Sequence, residues 1–370
     1  MFFMTTVRDV CDRLKTIAPL RLAEDWDNVG LIVGDENREI ERILTCLTLT
    51  SDVADEAVQS RAGLIITHHP ILFKPVKSIT ANTPEGRILL TLIRHEISVY
   101  SPHTAWDNSD CGINQQLAER LELHDIRPLR PHKAEEHIKI VTFVPEPQLE
   151  ALRSAMWNAG AGVIGNYEKC SFTTRGTGSF QGSETTQPAV GRAGQFEQID
   201  EVRLEIVCAP QQLDRVLNAL REGHPYEEPA VDLFSARSLG DGAGSGRMGT
   251  LSTPMTLAQL NRIVAEKLRQ PNLQFVGDPS QTIKRLGIAC GAAGEFLHDA
   301  HRAGCQAFLT GEVRFHGCLE ATELGIALIL PGHYATERFA MEALAARLGQ
   351  EFPGLPATAS HHETDPVRTA

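Results

Sequence analysis

Three predicted strands of this chain each end in residues that can bind a metal ion. The strands are short apolar runs, and a proline within a few residues stops each of them. Ligands of open α/β sheets collect beyond the carboxyl ends of the strands. Imidazoles and carboxylates without thiolates suit a divalent metal such as Zn, Fe, Mn or Ni. The residues are His68 and His69 after the run at 64–67, His103 and Asp107 after the run at 97–100, and His333 and Glu337 after the run at 327–330.

The His68-His69 pair is a weak signal by itself, because such pairs arise by chance in a chain with 14 histidines. Hydrogen-bonded structural histidines are the alternative at this position. A second pair, His361-His362, lies in a polar tail for which we predict no preceding strand, and we expect it to be solvated. We therefore favour His68-His69 as metal ligands because this pair lies at the end of a predicted strand.

The other two motifs also allow a structural interpretation. His333 and Glu337 are four residues apart, so both face the same side if a helix begins at His333. The alternative is that they cap this helix and that Glu337 complements its dipole. Asp107 precedes a predicted helix and could be a plain N-cap.

Taken together, the three strand ends favour a metal site. Even without His103, the three imidazoles and two carboxylates exceed the needs of one catalytic ion and suit two ions that share a carboxylate. Two divalent ions outweigh the charge of two carboxylates, so the site would attract an anion. It would also lower the pKa of bound water toward neutrality.

Composition places this site in an ordinary globular protein. The chain has 370 residues and a formal charge of −12, which argues against broad nucleic-acid binding. No apolar run reaches the roughly 18 residues of a membrane span. The eight cysteines are scattered and form no C-x-x-C motif, so we expect reduced thiols in a cytoplasmic protein.

The elements that must position the site are predicted in three segments. Residues 1–131 and 238–370 alternate apolar strands with helices, which predicts one α/β body with mostly parallel sheets. Residues 132–237 follow the order βαββαβ, which predicts an inserted ferredoxin-like domain with an exposed connection at 176–194. The glycine-rich stretch 238–249 is predicted to be a flexible linker, because it lacks the spacing of a phosphate loop.

Four motifs of the outer segments occur in a characteristic order: Trp26-Asp27-Asn28-Val29-Gly30-Leu31, Thr67-His68-His69-Pro70, Ser101-Pro102-His103-Thr104-Ala105-Trp106-Asp107 and Gly332-His333-Tyr334-Ala335-Thr336-Glu337. Together they resemble the NIF3-like family, also called GTP cyclohydrolase I type 2 homologues. The middle segment, with His224-Pro225-Tyr226-Glu227-Glu228-Pro229, resembles the PII/CutA-like insert of longer members.

The resemblance implies two divalent ions in each subunit of a homohexamer. His68, Asp107 and Glu337 match the ligands of one ion. His69, His333 and the same Glu337 match the ligands of the other, so that Glu337 bridges the two.

Further site residues follow from the same resemblance. His103 matches a histidine beside the centre and is expected to be an extra ligand or an acid–base group. The segment 311–316 resembles one in which Asp usually stands at the position of Glu312, and Gly317 replaces an acidic residue. These departures put the surroundings of the ligands in doubt. His316 is expected to orient a ligand or move a proton, or alternatively to cap a helix.

The family name implies that the imidazole ring of GTP is opened with loss of formate. This reaction needs an activated hydroxide at C8 and a proton donor such as His103 or His316. Lys74, Lys77 or Arg314 could take the anionic triphosphate, or they are ordinary surface cations. Rival hypotheses are a metal-dependent hydrolase of another nucleotide, phosphoester or amide, and a metal-binding regulatory or scaffold protein.

Overall fold

The computed structural model describes residues 5–132, 136–165, 167–237 and 242–368. It contains two compact units. We call Met1–His132 with Asp241–Ala370 the body, and Lys133–Gly240 the insert. Among the described residues, no helix is long and apolar enough to cross a bilayer.

The amino-terminal part of the body alternates strands and helices as its apolar runs predict. Side-chain caps fix where helices begin: Thr6 and Thr50 each accept a hydrogen bond from the first turn, so the second helix is capped by Thr50 and not by Ser51. The elements are α1 (Val7–Ile17), a 3-10 turn (Leu20–Leu22), β1 (Gly30–Val33), β2 (Ile43–Thr48), α2 (Ser51–Gln59), β3 (Leu64–His69), α3 (Pro84–Arg94), β4 (Ser98–Ser101), α4 (His103–Asp107), α5 (Ile113–Arg120), β5 (His124–Arg127) and β6 (Arg130–Pro131).

The insert has one antiparallel sheet, and its main elements follow the predicted order of strand, helix, strand, strand, helix and strand. They are β7 (Glu136–Val144), a 3-10 turn (Glu146–Gln148), α6 (Leu149–Asn158), β8 (Phe172–Gln181), β9 (Phe196–Cys208), a 3-10 turn (Pro210–Gln212), α7 (Leu213–Gly223) and β10 (Val231–Arg237).

One boundary of the insert was predicted wrongly. The connection was expected to begin at Gly176, but residues 176–181 continue β8 and pair with β9 as far as Gln181 opposite Phe196. The glycines in this stretch are tolerated because β8 is the last strand of the sheet, whose order is β10-β7-β9-β8.

The carboxyl-terminal part of the body returns to alternating strands and helices. Its elements are β11 (Gly244–Ser245), β12 (Arg247–Thr256), α8 (Leu257–Lys267), β13 (Gln274–Val276), β14 (Thr282–Ala289), a 3-10 turn (Gly294–Phe296), α9 (Leu297–Arg302), β15 (Ala307–Thr310), α10 (Phe315–Leu324), β16 (Ala327–Leu330), α11 (His333–Glu351) and β17 (Ala357–Ala359).

Two large sheets and the two-stranded sheet β11-β6 form the described part of the body, and this mixed α/β architecture confirms the predicted fold class. The first has the order β1-β4-β3-β2-β17 and is parallel except for β1. The second has the order β13-β16-β15-β14-β12-β5, in which only β14, β15 and β16 run parallel. The expectation of mostly parallel sheets therefore holds for the first sheet and is wrong for the second.

The predicted glycine-rich linker is also wrong from Gly244 onward, and residues 238–241 lie outside the described part of the chain. Its glycines allow close approach of strands: a Cβ on Gly244 would lie 2.3 Å from the carbonyl oxygen of Arg130. The neighbouring Arg247 is buried and donates hydrogen bonds to the carbonyl oxygens of Gly244 and Ser109. Residues 244–249 thus contain β11 and the first part of β12, and they pack closely against neighbouring strands.

Helix α11 is held against the first sheet by an apolar core. Ala340, Met341 and Leu344 are buried in one cluster with Ile66 of β3 and Tyr100 of β4. Because α11 begins directly after β16 of the second sheet, this packing brings its first turn to the carboxyl ends of the first sheet's strands.

Candidate metal centre

His68 and His69 are the last two residues of β3, which continues through both instead of stopping before them as predicted. His68 is buried and His69 is half-buried. Since β2, β3 and β4 run parallel, they end at one edge of the sheet. The two rings lie at this edge with centroids 5.1 Å apart.

The first turn of α11 brings its two side chains to the same edge. The helix begins at His333, so His333 and Glu337 face the same side, and His333 Nε2 lies 3.1 Å from Glu337 Oε2. The N-cap is Gly332, with a φ of 102°, and no side chain caps the helix. The alternative of a capping arrangement is therefore wrong.

Helix α4 supplies the remaining pair. Asp107 is its last residue, and Gly112 is the N-cap of the following helix, so Asp107 is not an N-cap. Asp107 Oδ1 lies 3.6 Å from His68 Nε2. His103 has a φ of 26°, a conformation that is uncommon outside glycine and is often found at functional sites.

Three side chains, one from β3 and two from α11, are spaced as ligands of one ion. Glu337 Oε2 lies 3.2 Å from His69 Nε2 and 3.1 Å from His333 Nε2, and the two nitrogens are 3.4 Å apart. Two ligands at about 2.1 Å on a tetrahedral ion are about 3.4 Å from each other. These three atoms could therefore hold a divalent ion with little movement.

A second group overlaps the first. His68, His69 and His103 each offer a ring nitrogen, and these atoms lie within 4.8 Å of one another. Asp107 lies beside this group through His68. The structure thus gathers six of the seven predicted site residues in one cluster: His68, His69, His103, Asp107, His333 and Glu337.

Three imidazole rings of the cluster contact residues outside it through their Nδ1 atoms. His69 Nδ1 lies 2.8 Å from Thr48 Oγ1, and His103 Nδ1 lies 2.8 Å from a carboxylate oxygen of Asp27. His333 Nδ1 lies 3.0 Å from Glu312 Oε1. Such contacts fix a metal-binding imidazole in orientation and in tautomer.

The contact of Glu312 answers the first of the two doubts raised by the sequence, the second being Gly317 in place of an acidic residue. The longer side chain stands where the family usually has Asp, and it still reaches the ring of His333. The anchoring roles of Asp27 and Thr48 were missed. Asp27 belongs to a motif singled out in the sequence, whereas no local signal marks Thr48.

Polar atoms of the cluster lack hydrogen-bond partners among the described residues. These buried atoms are His68 Nδ1, Asp107 Oδ1 and Glu337 Oε2. A buried polar atom without a partner costs about 1–3 kcal/mol, and more when it is charged. Asp107 Oδ1 and Glu337 Oε2 each face a ring nitrogen. A cation bound between oxygen and nitrogen would give each carboxylate oxygen a partner. The donor set therefore fits a divalent metal.

The charges of the cluster lead to the same conclusion. Burial and the nearby Glu337 raise the pKa of Asp107 to about 7. Burial would also raise the pKa of Glu337, but the imidazole rings of His333, His69 and His68 that surround this carboxylate together outweigh it and hold the pKa well below 4.5. The contact with Glu337 raises the pKa of His333 to about 9. The buried carboxyl group of Glu337 and the half-buried one of Asp107 thus compete for positive charge, which a metal ion would supply.

Two glycines make room for the cluster. A Cβ on Gly291, whose φ is 67°, would lie 2.4 Å from Glu337 Oε1. A Cβ on Gly311 would lie 2.7 Å from both the carbonyl oxygen of Gly291 and the Cα atom of His333. Both glycines follow strands of the second sheet, so they let the backbone approach the ligands closely.

His316 is the predicted site residue that the structure does not bring to the cluster. It is exposed in the first turn of α10, and its ring contacts its neighbour Phe315. No contact between described residues joins it to the other six. The capping alternative is wrong as well, because the N-cap is Arg314 and no side chain caps this helix.

The second histidine pair differs from the prediction in one respect. Strand β17 precedes His361-His362, although none was predicted there. The two side chains are exposed as expected. Their main-chain N–H groups donate to the carboxylate of Glu56.

Fold and cluster together define a mixed α/β protein with a candidate histidine–carboxylate metal site between the strand ends of two sheets. The comparisons with known proteins give the family. A family model described as Duf34/NIF3 (NGG1p interacting factor 3) matches residues 5–366. The chain belongs to this family, which confirms the resemblance of its motifs.

Named relatives cover nearly the whole chain. It is 35% identical over 341 residues to a "GTP cyclohydrolase 1 type 2 homolog" of Bacillus subtilis, covering 92% of this chain and 91% of the relative. It is 37% identical over 316 residues to a protein of the same name from Halalkalibacterium halodurans, covering 85% of each. A solved Bacillus cereus protein related to NIF3 matches with a TM-score of 0.74 at 31% identity, over 100% of both chains.

Proposed function

We propose that this protein is a hydrolase that depends on a dinuclear centre of divalent metal ions. The observation that carries the proposal is the position of Glu337 Oε2, buried without a hydrogen-bond partner and within 3.2 Å of two ring nitrogens. His69, His333 and Glu337 would hold one ion. His68 and Asp107 would hold the other, with Glu337 shared between them.

The proposed substrate is GTP, as the name of the relatives suggests. Opening its imidazole ring consumes two waters: the first adds at C8 and leaves a formamide, and the second releases formate. When bound, the metal ions supply Lewis-acid chemistry and make water a better nucleophile near neutral pH. The charge of two such ions also favours an anionic substrate.

His103 is the proposed proton donor. Burial would lower the pKa of His103, but its hydrogen bond with Asp27 and the charges of Asp107 and Glu337 together outweigh burial and raise this pKa. Because Asp27 holds Nδ1, the proton available for transfer is on Nε2. His103 would give this proton to the ring nitrogen that is freed when a C8–N bond breaks.

The test is metal analysis combined with a formate assay on purified protein. We expect metal ions in the wild type, formate release from GTP, and loss of both in Glu337→Gln. The matched control is Glu342→Gln on the same helix, whose side chain is 65% exposed. Absence of metal from the wild type, or equal formate release by the wild type and Glu337→Gln, would refute the proposal.

We further propose that the protein acts as a homohexamer in the cytoplasm. All eight cysteines are free thiols, which supports a reducing compartment. Sedimentation of the full chain would test the assembly, and a stable species smaller than six subunits would contradict it.

A regulatory role is the second candidate function, and a cavity of about 750 Å³ in the insert favours it. Its lining includes Phe143, Glu201 and Tyr226, and Tyr226 donates a hydrogen bond to Glu201 over 2.8 Å. In this case the insert would sense a small ligand, and removal of residues 132–237 would abolish regulation or assembly. The metal content would not change.

A further inference from the structure

Two exposed aromatic side chains lie beside the metal centre. Trp26 is 60% exposed and Phe73 is 45% exposed, and their ring centroids are 5.7 Å apart. We call them the aromatic pair. Large apolar side chains with this much exposure lose about half of the free energy that full burial would give, so two of them in contact indicate a surface that binds a ligand.

The aromatic pair adjoins the cluster through His103. The ring of His103 lies 6.2 Å from Trp26 and 6.3 Å from Phe73, both edge to face. On its other side it lies 5.1 Å from His68. A planar molecule stacked on the aromatic pair would therefore lie next to His103, and the ring of His103 in turn contacts the candidate ligand His68.

Hydrogen bonds fix the pair in place. Asp27, next to Trp26, has a fully buried side chain that binds His103 and the backbone N–H of Thr104. Asn28 donates to the carbonyl oxygen of Leu72, which precedes Phe73, over 2.6 Å. The two segments that carry the aromatic rings are thus tied to the centre and to each other.

Two lysines follow Phe73 of the aromatic pair in the sequence. Lys74 and Lys77 are exposed in the turn after Phe73, and no ion pair joins them to any described residue. In a chain of net charge −12, cations left unpaired beside an aromatic surface suit a ligand with both a flat ring and an anionic part.

We propose that Trp26 and Phe73 bind the substrate by stacking on a planar heteroaromatic ring, so that the substrate class is a nucleotide whose base lies on this pair and whose phosphates face Lys74 and Lys77. The proposal rests on the proposed function, because the cluster must be the reacting centre. Stacking recognises the face of a ring, and each base–aromatic contact contributes enough to be measured by alanine substitution.

The test compares two probes on metal-loaded, full-length protein by titration calorimetry. GTP carries a base and tripolyphosphate does not. We expect Trp26→Ala to weaken GTP binding by about 5- to 100-fold and to leave tripolyphosphate binding unchanged. Trp26→Phe should restore most of the affinity, because a phenyl ring still stacks.

Tryptophan fluorescence gives a second measurement. Trp106 is buried and Trp157 belongs to the insert, so Trp26 is the exposed tryptophan of the body. GTP should quench the emission of the wild type, and Trp26→Phe should remove this quenching while GTP still binds.

Phe73→Ala has a matched control in Phe275→Ala, since both side chains are 45% exposed. Only the first should weaken GTP binding. Equal GTP affinity in the wild type and Trp26→Ala, or equal weakening of both probes, would overturn the stacking proposal. A Trp26→Ala variant with changed oligomeric state and unchanged GTP affinity would also overturn it, because the pair would then be an interface between copies.

Binding and reaction can fail separately in this design. Trp26-dependent GTP binding without formate release would refute the proposed reaction and keep the stacking proposal. Formate release together with a GTP affinity that does not depend on Trp26 would refute the stacking proposal and keep the proposed reaction. Absence of GTP binding by the wild type would refute both.

Discussion

The chain has two histidine pairs at the same edge of the same sheet. His68-His69 ends β3, and His361-His362 follows β17 by one residue. Both strands are neighbours of β2 and run parallel to it. By residue type and by position on the sheet, the two pairs are thus nearly equivalent.

What separates the pairs is what the rest of the body brings to them. The first turn of α11 places Glu337 within 3.2 Å of His69, and α4 places Asp107 within 3.6 Å of His68. At the second pair, Glu56 accepts hydrogen bonds from backbone N–H groups, and the side chains face solvent. A metal site is therefore defined by carboxylates that converge on the rings, and a strand end with two histidines is insufficient.

The largest expected effect comes from removing a ring at each pair. His69→Ala deletes a ligand beside Glu337, so we expect metal affinity to fall by more than about 100-fold, beyond the loss typical of an outer partner. His361→Ala should retain the metal content of the wild type. Metal analysis after gel filtration measures both, and equal loss in the two variants would remove the distinction between the pairs.

A methyl group placed against the shared carboxylate should have the next largest effect. The added Cβ of Gly291→Ala would overlap Glu337 Oε1 and force this side chain away. Metal affinity should fall by about 10- to 100-fold, the range of a disturbed ligand.

The control for Gly291→Ala is Gly325→Ala. Their φ values are 67° and 70°, but a Cβ on Gly325 meets nothing within 4 Å. Both variants should lose about 1 kcal/mol of stability or more from backbone strain. If Gly325→Ala lost as much metal as Gly291→Ala, the loss would reflect general destabilisation.

A smaller effect should follow from loosening one ring. Thr48→Val removes the hydroxyl that contacts His69 Nδ1, so the ring keeps its place but loses its fixed orientation. We expect metal affinity to fall by about tenfold, at the lower end for outer partners. Thr358→Val, at an exposed position of β17, is the control and should bind metal as the wild type does. A titration with a metal indicator would show the difference.

Short apolar strands were predicted well because their signal is local. The run that became β16 was predicted with the observed ends, since it is a continuous apolar segment closed by a turn. Strand β11 and the start of β12 were mistaken for linker because the close approaches of Gly244 to Arg130 and of Gly249 to His124 join residues more than a hundred positions apart. Strand β17 was missed because it has three residues and pairs with β2, at the other end of the chain.

The residues of the candidate site were likewise predictable only where the signal is local. Its six residues could be selected by type and by place at strand ends, yet their convergence depends on two sheets that no local pattern relates. The anchor of His69 could not be found, because Thr48 is an ordinary threonine until the fold places it 2.8 Å from the ring. His316 was selected for its type, and the exposed start of α10 leaves it outside.

The smallest effect concerns the carboxylate that holds the second pair. Burial would raise the pKa of Glu56, but hydrogen bonds from Ser360 and from the N–H groups of His361 and His362 outweigh it and lower this pKa. A lowered pKa means that the unfolded chain binds protons first. The stabilisation is therefore present above the ordinary pKa of 4.5 and is lost as the pH falls through the folded value.

Glu56→Gln should accordingly be less stable than the wild type by about 1 kcal/mol at pH 7, and this difference should shrink toward zero at an acidic pH well below 4.5, where the folded wild type is also protonated. Asp55→Asn, exposed on the same helix, controls for the loss of a surface charge. Urea unfolding at both pH values measures the difference. At pH 7 the metal content should equal that of the wild type, because Glu56 contacts Ser360 and the backbone of His361 and His362 and touches no residue of the cluster. A loss of metal in Glu56→Gln would mean that the two pairs are coupled through β2 and are not independent.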